Sequence, residues 1–519
     1  MRIVTTRIGW DGPRIGSKLL AASVAMLLGL AATTAQAASK TDELSDLRQR
    51  LDAQERQIED LQRRLEQRDS AAAAAADSNA QLESQQQQLK VLERKLELND
   101  ETAKSAAATA PVVKAGPKGF SIQSADGANV VKLRGALHYD GRYFLDDTAP
   151  DSANSWLLRR VRPTLEGTLG GIFDFRFTPD FAGGKTIILD AFGAIRFAPW
   201  AQLTAGKFKV PVGLERLVSS NDLKFIERGL PTVLVPNRDL GIALGGDLNG
   251  GTINYSVGVY NGVVDGGSSD AQGDVETNGD RDWAARVFFQ PFLNSEHFAL
   301  RGLGFGIAGT YVNGTGNPLS SGLPSYRTPD QQSFFKFRGD NAATAGLNEA
   351  TYLDGRRVRL APQAYYYHGS FGALAEYVRV SQDISRTTAA GLRSSRLDTS
   401  AWQLALSYFL TGEEASYKGL KPNSTFNLGK PGWGAFEIVA RYNELRLDEG
   451  FFSGGALSFA DPLTQPRKVT EYAIGLNWYF NQNVKWQINY ENAKFDGGGG
   501  LGRDRGDGES ILTRLAVGF

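Results

Sequence analysis

The last nine residues, Ile511 to Phe519, alternate between two kinds of surface. Successive side chains of a strand point to opposite faces, so Ile511, Thr513, Leu515, Val517 and Phe519 share one surface while Leu512, Arg514, Ala516 and Gly518 share the other. The first suits hydrocarbon and the second a wet interior. The pattern recurs. Trp402, Leu404, Leu406, Tyr408 and Leu410 alternate with Gln403, Ala405, Ser407 and Phe409, and Phe436, Ile438, Ala440 and Tyr442 alternate with Glu437, Val439, Arg441 and Asn443. Tyr472 to Phe480 and Lys485 to Glu491 repeat it, with aromatic residues near the segment ends, where interfacial girdles belong.

Composition alone does not reveal this: 41% apolar residues, a mean hydropathy of −0.29 and no formal net charge also describe soluble enzymes. Past the amino terminus no apolar run is long enough for a spanning helix. A closed barrel is the remaining way to pair every backbone donor and acceptor in hydrocarbon. The expected fold is therefore an all-β antiparallel transmembrane barrel, and the closing segment resembles the last strand of outer-membrane barrels of Gram-negative bacteria. Cysteine is absent, which is compatible with an oxidising compartment.

The amino terminus carries an address and then a second kind of sequence. Arg2, Arg7, Arg14 and Lys18 precede an apolar stretch and Ala35-Gln36-Ala37, a secretory signal over 1–37. Leu44, Leu47, Leu51, Ile58, Leu61 and Leu65 take heptad positions with Gln54 as a polar member of the seam; Leu82, Leu89 and Leu96 resume it opposite Gln86 and Glu93. Residues 38–104 read as a periplasmic α-helical coiled coil, either a trimer stalk or a flexible spacer, followed by an Ala/Pro/Gly-rich linker over 105–119.

Residues 120–519 suffice for about 16 spanning strands, and counts of 14 or 18 also fit. Outer loops are expected over Asp265 to Asp282, Gly314 to Leu347, Phe451 to Arg467 and Asp496 to Glu509. The carboxylates Asp265, Asp270, Asp274, Glu276, Asp280 and Asp282 lack a ligand spacing and read as a solvated loop. After a strand at Leu203 to Val210 the rhythm fails through Asp239. A long loop of this kind either covers the barrel or folds inward to constrict it. With Lys207, Lys209, Arg216, Lys224, Arg228 and Arg238 against Glu215, Asp222, Glu227 and Asp239, the stretch is net basic.

Phe181 to Lys185, Gly206 to Arg216, Ser219 to Asp222, Ile226 to Arg228, Leu410 to Glu413, Gly434 to Tyr442 and Gly475 to Tyr479 together resemble, in order, the phosphate-selective porin family of Gram-negative outer membranes. The resemblance implies a trimeric sixteen-stranded barrel whose third loop turns inward, with arginines lining the pore and lysines at an anion site. The family's paired arginines fall on Arg159 and Arg160, its loop arginine on Arg228, and one site lysine on Arg216. Two further site lysines fall on Asp174 and Asn221, and the upper arginines correspond loosely to Arg327 and Arg338.

Basic and acidic residues balance at 57 each, so anion preference must come from placement. Guanidinium groups offer bidentate bonds to phosphate or carboxylate. The expected constriction comprises Arg159, Arg160, Arg162, Lys207, Lys209, Arg216 and Arg228. Strand parity sets Arg160 and Arg162 on one face and Arg159 on the other, so Arg159 reaches the lumen only if the strand end bends. Gly304 to Gly309 matches a dinucleotide fingerprint by letters alone, and His138, His297 and His368 match no nucleophile or metal spacing. No enzyme, cofactor, metal or nucleic acid is expected. The expected partners are outer-membrane lipid, two further copies in a homotrimer, small anions such as phosphate or polyphosphate, the barrel-assembly machinery and, through the coiled coil, peptidoglycan. A weakly selective general porin for sugars or organic acids and an envelope tether are the alternatives.

Overall fold

A computed structural model describes residues 45–61, 63–64, 75–116, 119–145, 153–269, 279–339 and 349–519. The signal segment 1–37 lies outside them. The chain divides into two compact units, 1–110 and 111–519.

In the first unit, helix α1 covers 45–61 and α2 covers Ala75–Thr109. Gln54 donates to Gln88 at 3.3 Å, and Arg48 lies 3.7 Å from Asp100, so the helices run antiparallel. The more buried residues are Leu47, Leu51, Gln54, Ile58 and Leu61 on α1, and Leu82, Gln85, Leu89, Leu92 and Leu96 on α2. The α1 seam follows the heptad; on α2 Gln85 and Leu92 replace the expected Gln86 and Glu93. Each apolar stripe thus meets a stripe of the same chain rather than waiting for a parallel neighbour. Helix α2 also runs through the alanines placed in the linker, as alanine's helix propensity favours.

The second unit opens with β1 (Val112–Gly116) and β2 (Gly119–Gln123), which pair as a hairpin. Then come β3 (Val130–Phe144), β4 (Ser155–Leu169), β5 (Phe173–Asp180), β6 (Ile187–Ala198), β7 (Ala201–Lys209), β8 (Arg238–Leu248), β9 (Ile253–Tyr260), β10 (Asp282–Phe289) and β11 (Leu303–Thr315). A short hairpin, β12 (Ser325–Arg327) with β13 (Ser333–Lys336), precedes β14 (Thr351–His368), β15 (Phe371–Thr388), β16 (Gly391–Phe409), β17 (Ala435–Leu447), β18 (Pro466–Tyr479), β19 (Val484–Gly497) and β20 (Gly508–Gly518). From β3 to β11 and β14 to β20 each strand pairs antiparallel with the next, and β20 returns to β3 from Ser510↔Phe144 to Gly518↔Ala136. The result is a closed barrel of 16 strands.

Closure ends on the terminal aromatic. Phe519 exchanges backbone bonds with Gly135 at 2.9 and 3.1 Å, and a Cβ on Gly135 would lie 2.6 Å from the Phe519 ring. Beyond Phe519, β2 continues along the same edge of β3, with Phe120 edge-on to Phe519.

The alternation sorts as expected: Trp402, Leu404, Leu406, Tyr408, Ile438, Tyr472, Ile474 and Leu515 are exposed on the outer wall, whereas Gln403, Glu437, Arg441, Asn443 and Arg514 are buried inside. Rings in contact, Trp402 tilted against Tyr442 and Tyr442 edge-on to Tyr472, form one girdle. The described parts of all four expected outer loops lie at the end opposite the chain's entry into β3 and exit from β20. There Asp265 and Asp282 are not solvated: both bond Arg359, whose side chain is wholly buried, at 2.7 and 2.9 Å. The arginine they need lies far along the chain, out of sight of a local charge count. The Gly304 to Gly309 segment lies within β11 and opens no helix.

Candidate functional site: a constriction built by an inward loop

Residues 210–237, the third connection at the far end, turn into the bore. Val212, Leu230, Leu234 and Val235 are fully buried, in a cluster with Phe334, Phe335, Phe451 and Phe459 from other far-end loops, and Leu214 is buried separately against Phe288 and Leu374 of the wall. Burying each such side chain is worth about 1.5–3 kcal/mol, so this part of the lumen is packed rather than wet.

The wall bolts the loop through its backbone. Leu214 N–H donates to Glu376 at 2.6 Å, Ile226 N–H to Asn489 at 2.8 Å and Leu230 N–H to Asn443 at 3.3 Å. Carbonyls are caught too: Lys485 and Gln487 donate to Leu223, Asn477 to Lys224, and Arg441 to Glu227. Buried backbone groups need such partners. Spread over β15 to β19, they fix the loop across the bore.

What stays open is a cavity of about 970 Å³ between the loop and the β3–β7 wall. Arg159, Arg160, Arg162, Lys209, Arg216 and Arg228 line it together. Lys207, also on β7, is buried and engaged elsewhere.

These cations fall into two sets. In the first, pairing shifts at β4: His138 faces Arg160 and Tyr139 faces Leu158, so Arg159 is the extra residue of a bulge. Simple parity fails there, and Arg159 meets the inward loop. Its Nε and Nη2 donate to the two oxygens of Glu227 at 2.6 and 3.3 Å. Arg160 Nη2 lies 3.5 Å, Arg514 Nη2 3.2 Å and Arg142 Nη2 3.7 Å from the same carboxylate. Burial alone would raise the Glu227 carboxyl, but Arg159, Arg160 and Arg514 hold it well below the ordinary carboxylate range. Arg514 is also bidentate to Asp140 at 2.6 and 2.7 Å, and Arg162 pairs with Asp180 at 2.6 Å. These arginines have their counter-charge.

The second set has no such contact, although Glu215, Glu227 and Asp190 act on it from farther off. Lys209 Nζ donates to the carbonyls of Arg216, Leu217 and Val218 at 2.9, 3.2 and 3.0 Å, closing the short helix α3 (Leu214–Leu217). Arg216 donates to Thr232 O at 2.5 Å, and Arg228 to Glu215 O and Val218 O at 3.0 and 2.8 Å. Among the described residues no carboxylate forms an ion pair with these three, and Arg216 Nε is buried without a partner. Burial, with Arg228 and Arg238 nearby, pushes Arg216 down to about 9. An arriving anion would relieve that.

The two positions where lysines were expected behave differently. Asp174 accepts from Thr168 at 2.7 Å and Gln202 at 3.0 Å and pairs with Arg196; Arg176 bonds Glu166 instead. Asn221 Oδ1 lies 3.0 Å from His138 Nε2, while Arg160 Nη1 donates to His138 Nδ1 at 3.0 Å. Sequence reasoning passed over His138; its place beside Asp140 and Arg142 on the inward face of β3 was the signal available. Arg338 lies 3.9 Å from Asp461 in the far-end loops.

A family profile described as phosphate-selective porin O and P matches residues 131–519. The chain belongs to that family. It is an outer-membrane porin. Porin O of Pseudomonas aeruginosa is 28% identical over 158 residues, 29% of this chain and 33% of that protein, so the match spans about a third of the relative. Among solved structures, the channel DcaP of Acinetobacter baumannii aligns over 77% of this chain and 99% of its own, with a TM-score of 0.45 and 12% identity. An anion-selective porin from Comamonas acidovorans aligns over 75% and 100%, with a TM-score of 0.44 and 13% identity. At those scores neither likeness bears on the assignment.

Proposed function

We propose that this porin is a diffusion channel for small anions, phosphate and polyphosphate among them, and that Lys209, Arg216 and Arg228 form its filter. One observation carries the reading: these three cations line the open cavity with backbone carbonyls as their hydrogen-bond partners and no ion pair, whereas Arg159, Arg160 and Arg162 are directly paired with Glu227 and Asp180. A buried cation lacking a counter-ion attracts a mobile one. Lys207 then acts as a wall residue. The test is reversal potential under a KCl gradient in planar bilayers, with phosphate added as a blocker. Anion preference with phosphate block is expected, and Arg216→Ala with Arg228→Ala should lower both. Cation preference, or a double variant indistinguishable from the parent, would refute the proposal.

A weakly selective general porin for sugars or organic acids is the second reading, favoured by Asp174 and Asn221 at the two positions where site lysines were expected. It differs in showing no saturable phosphate site. The end bearing the barrel's first and last strands faces the periplasm, because its turns are mostly short. The helical unit then stands in the periplasm, where contact with peptidoglycan would make it a tether, and the barrel-assembly machinery is the partner in insertion. A homotrimer forms through the low wall of β5 to β8, whose strands have 8, 12, 9 and 11 residues, against 18, 18 and 19 in β14 to β16. Deleting residues 38–110 separates pore from tether: conductance persists while envelope attachment is lost.

A further inference from the structure

The tall wall of β14 to β16 carries a feature the pore does not use. On its outer face the side chains change character partway up each strand. On β15, Phe371 and Tyr377 are exposed apolar rings, and the next outward residues are Arg379, Ser381 and Asp383. On β16, Tyr408, Leu406, Leu404 and Trp402 give way to Ser400, Asp398 and Arg396; on β14, Leu360 and Val358 give way to Arg356. The inward residues between them, such as Val378, Val380 and Ala401, are buried, so the outward direction of the charged set is not in question.

Height places this set. Arg379 follows Phe371 by eight positions, about 26 Å along the strand and about 20 Å up a wall tilted near 40°. The apolar band of such barrels is about 25 Å tall, so the Arg379 backbone lies about 5 Å below its upper edge, a gap its long side chain spans, and Arg356 and Arg396 stand above it. This is the level of lipid headgroups.

The chemistry there suits phosphate. Arg396 is bidentate to Asp383 at 2.7 and 2.7 Å, Arg356 lies 3.7 Å from Asp383, and Arg379 bonds Asp398. With Asp354 beside them, accepting from Ser385 at 2.5 Å, the three guanidinium groups face three carboxylates, so the set is balanced in charge but keeps several unused N–H donors. The side chains of Arg356, Arg379 and Arg396 are 54%, 55% and 45% exposed, so those donors point outward. Ser381 and Ser400 add hydroxyls between them, and directly below lies the apolar surface of Trp402, Leu404 and Leu360. An arginine fork over an acyl-chain surface is what a phosphorylated lipid needs.

We infer that this outer patch binds the phosphate-bearing headgroup of an outer-leaflet glycolipid, with its acyl chains on the β14–β16 wall. The inference rests on the outer-membrane reading and on the proposed orientation, but not on what passes through the pore. No such set of outward charges crowns β5 to β8, where a neighbouring copy is proposed, and the asymmetry fits a wall with one side for protein and another for lipid.

The experiment is native mass spectrometry of the detergent-purified full chain, titrated with bisphosphorylated lipid A and with the same lipid after phosphate removal. The parent should retain the phosphorylated form at least tenfold better, and the variant carrying Arg356→Gln, Arg379→Gln and Arg396→Gln should lose that preference. Equal retention of the two lipids by the parent overturns the inference, a result that needs no variant to fold. So does an unchanged preference in a variant whose heat-modifiable gel migration shows an intact barrel. Displacement by millimolar inorganic phosphate would mark a simple ion site, and a change in oligomer mass would mark a contact between copies; either overturns it. The reversal potential of the variant in phosphatidylcholine bilayers should equal the parent's, because the patch faces away from the bore. Failure of pore selectivity is thereby read separately from failure of lipid binding.

Discussion

Replacing Glu227 by glutamine removes the carboxylate shared by Arg159, Arg160 and Arg514 while keeping its shape. The constriction gains one net positive charge. For an ion passing at about 10 Å in a wet pore of effective dielectric about 40, one charge is worth about 0.8 kcal/mol, and screening at a Debye length near 10 Å reduces this to about 0.3 kcal/mol. An anion gains what a cation loses, so the anion-to-cation permeability ratio should rise roughly three- to fifteenfold. The assay is reversal potential under a tenfold KCl gradient, repeated from low to molar salt. The increase should shrink as salt rises, since the Debye length falls to about 3 Å at 1 M.

The same substitution strands buried guanidinium groups, and breaking a buried pair costs about 3–5 kcal/mol. The bolts from Glu376, Asn443, Asn489 and Arg441 keep the loop inside, so this cost should appear as a lower unfolding temperature rather than a wider pore. An unchanged or falling permeability ratio in an intact barrel would show that Glu227 does not mask these arginines, and the division of the cations into two sets would fail with it.

Asn221→Lys, which restores a charge beside His138, should tighten phosphate block several-fold; a block constant that does not move would exclude the loop tip from the path. Asp222, a cavity-lining carboxyl raised by burial, should protonate at a higher pH than an ordinary aspartate as the medium is acidified. Its negative charge is lost on the acid side, so anion preference should rise as pH falls toward 4, and Asp222→Asn should remove that dependence; a pH profile shared by parent and variant would contradict this. Asn489→Ala together with Asn443→Ala leaves two loop amides unpaired, at about 1–3 kcal/mol each. Single-channel noise should grow as the loop loosens, and quiet traces of parental conductance would show that the remaining bolts suffice.

What could be read from the chain tracks the range of the interactions concerned. Alternation is a property of neighbours, so the outer face of β16, from Trp402 to Tyr408, and the inward place of Arg514 were legible from residues two apart. Strand number was not, because 400 residues accommodate 14, 16 or 18 strands until the closing pair of β20 with β3 is seen. The inward loop announced itself by losing rhythm, and its basic character was countable. Its electrostatics were not: Glu227 draws arginines from β3, β4 and β20, the last separated from it by 287 positions. Residue type alone ranks Arg159 and Arg228 alike as pore cations, whereas geometry pairs one with Glu227 and leaves the other on carbonyls. The bulge that turned Arg159 inward is a mismatch between two strands, and neither strand shows it alone. Asp265 and Asp282 teach the same lesson from the opposite side, since a local reading saw solvated carboxylates and missed Arg359, 94 and 77 positions away. In a barrel, sequence period decides which side of the wall a residue faces, and only the folded loop decides which of its charges remain unspent. Selectivity here is therefore a property of pairing, and a homologue with the same arginines but a displaced Glu227 should select ions differently.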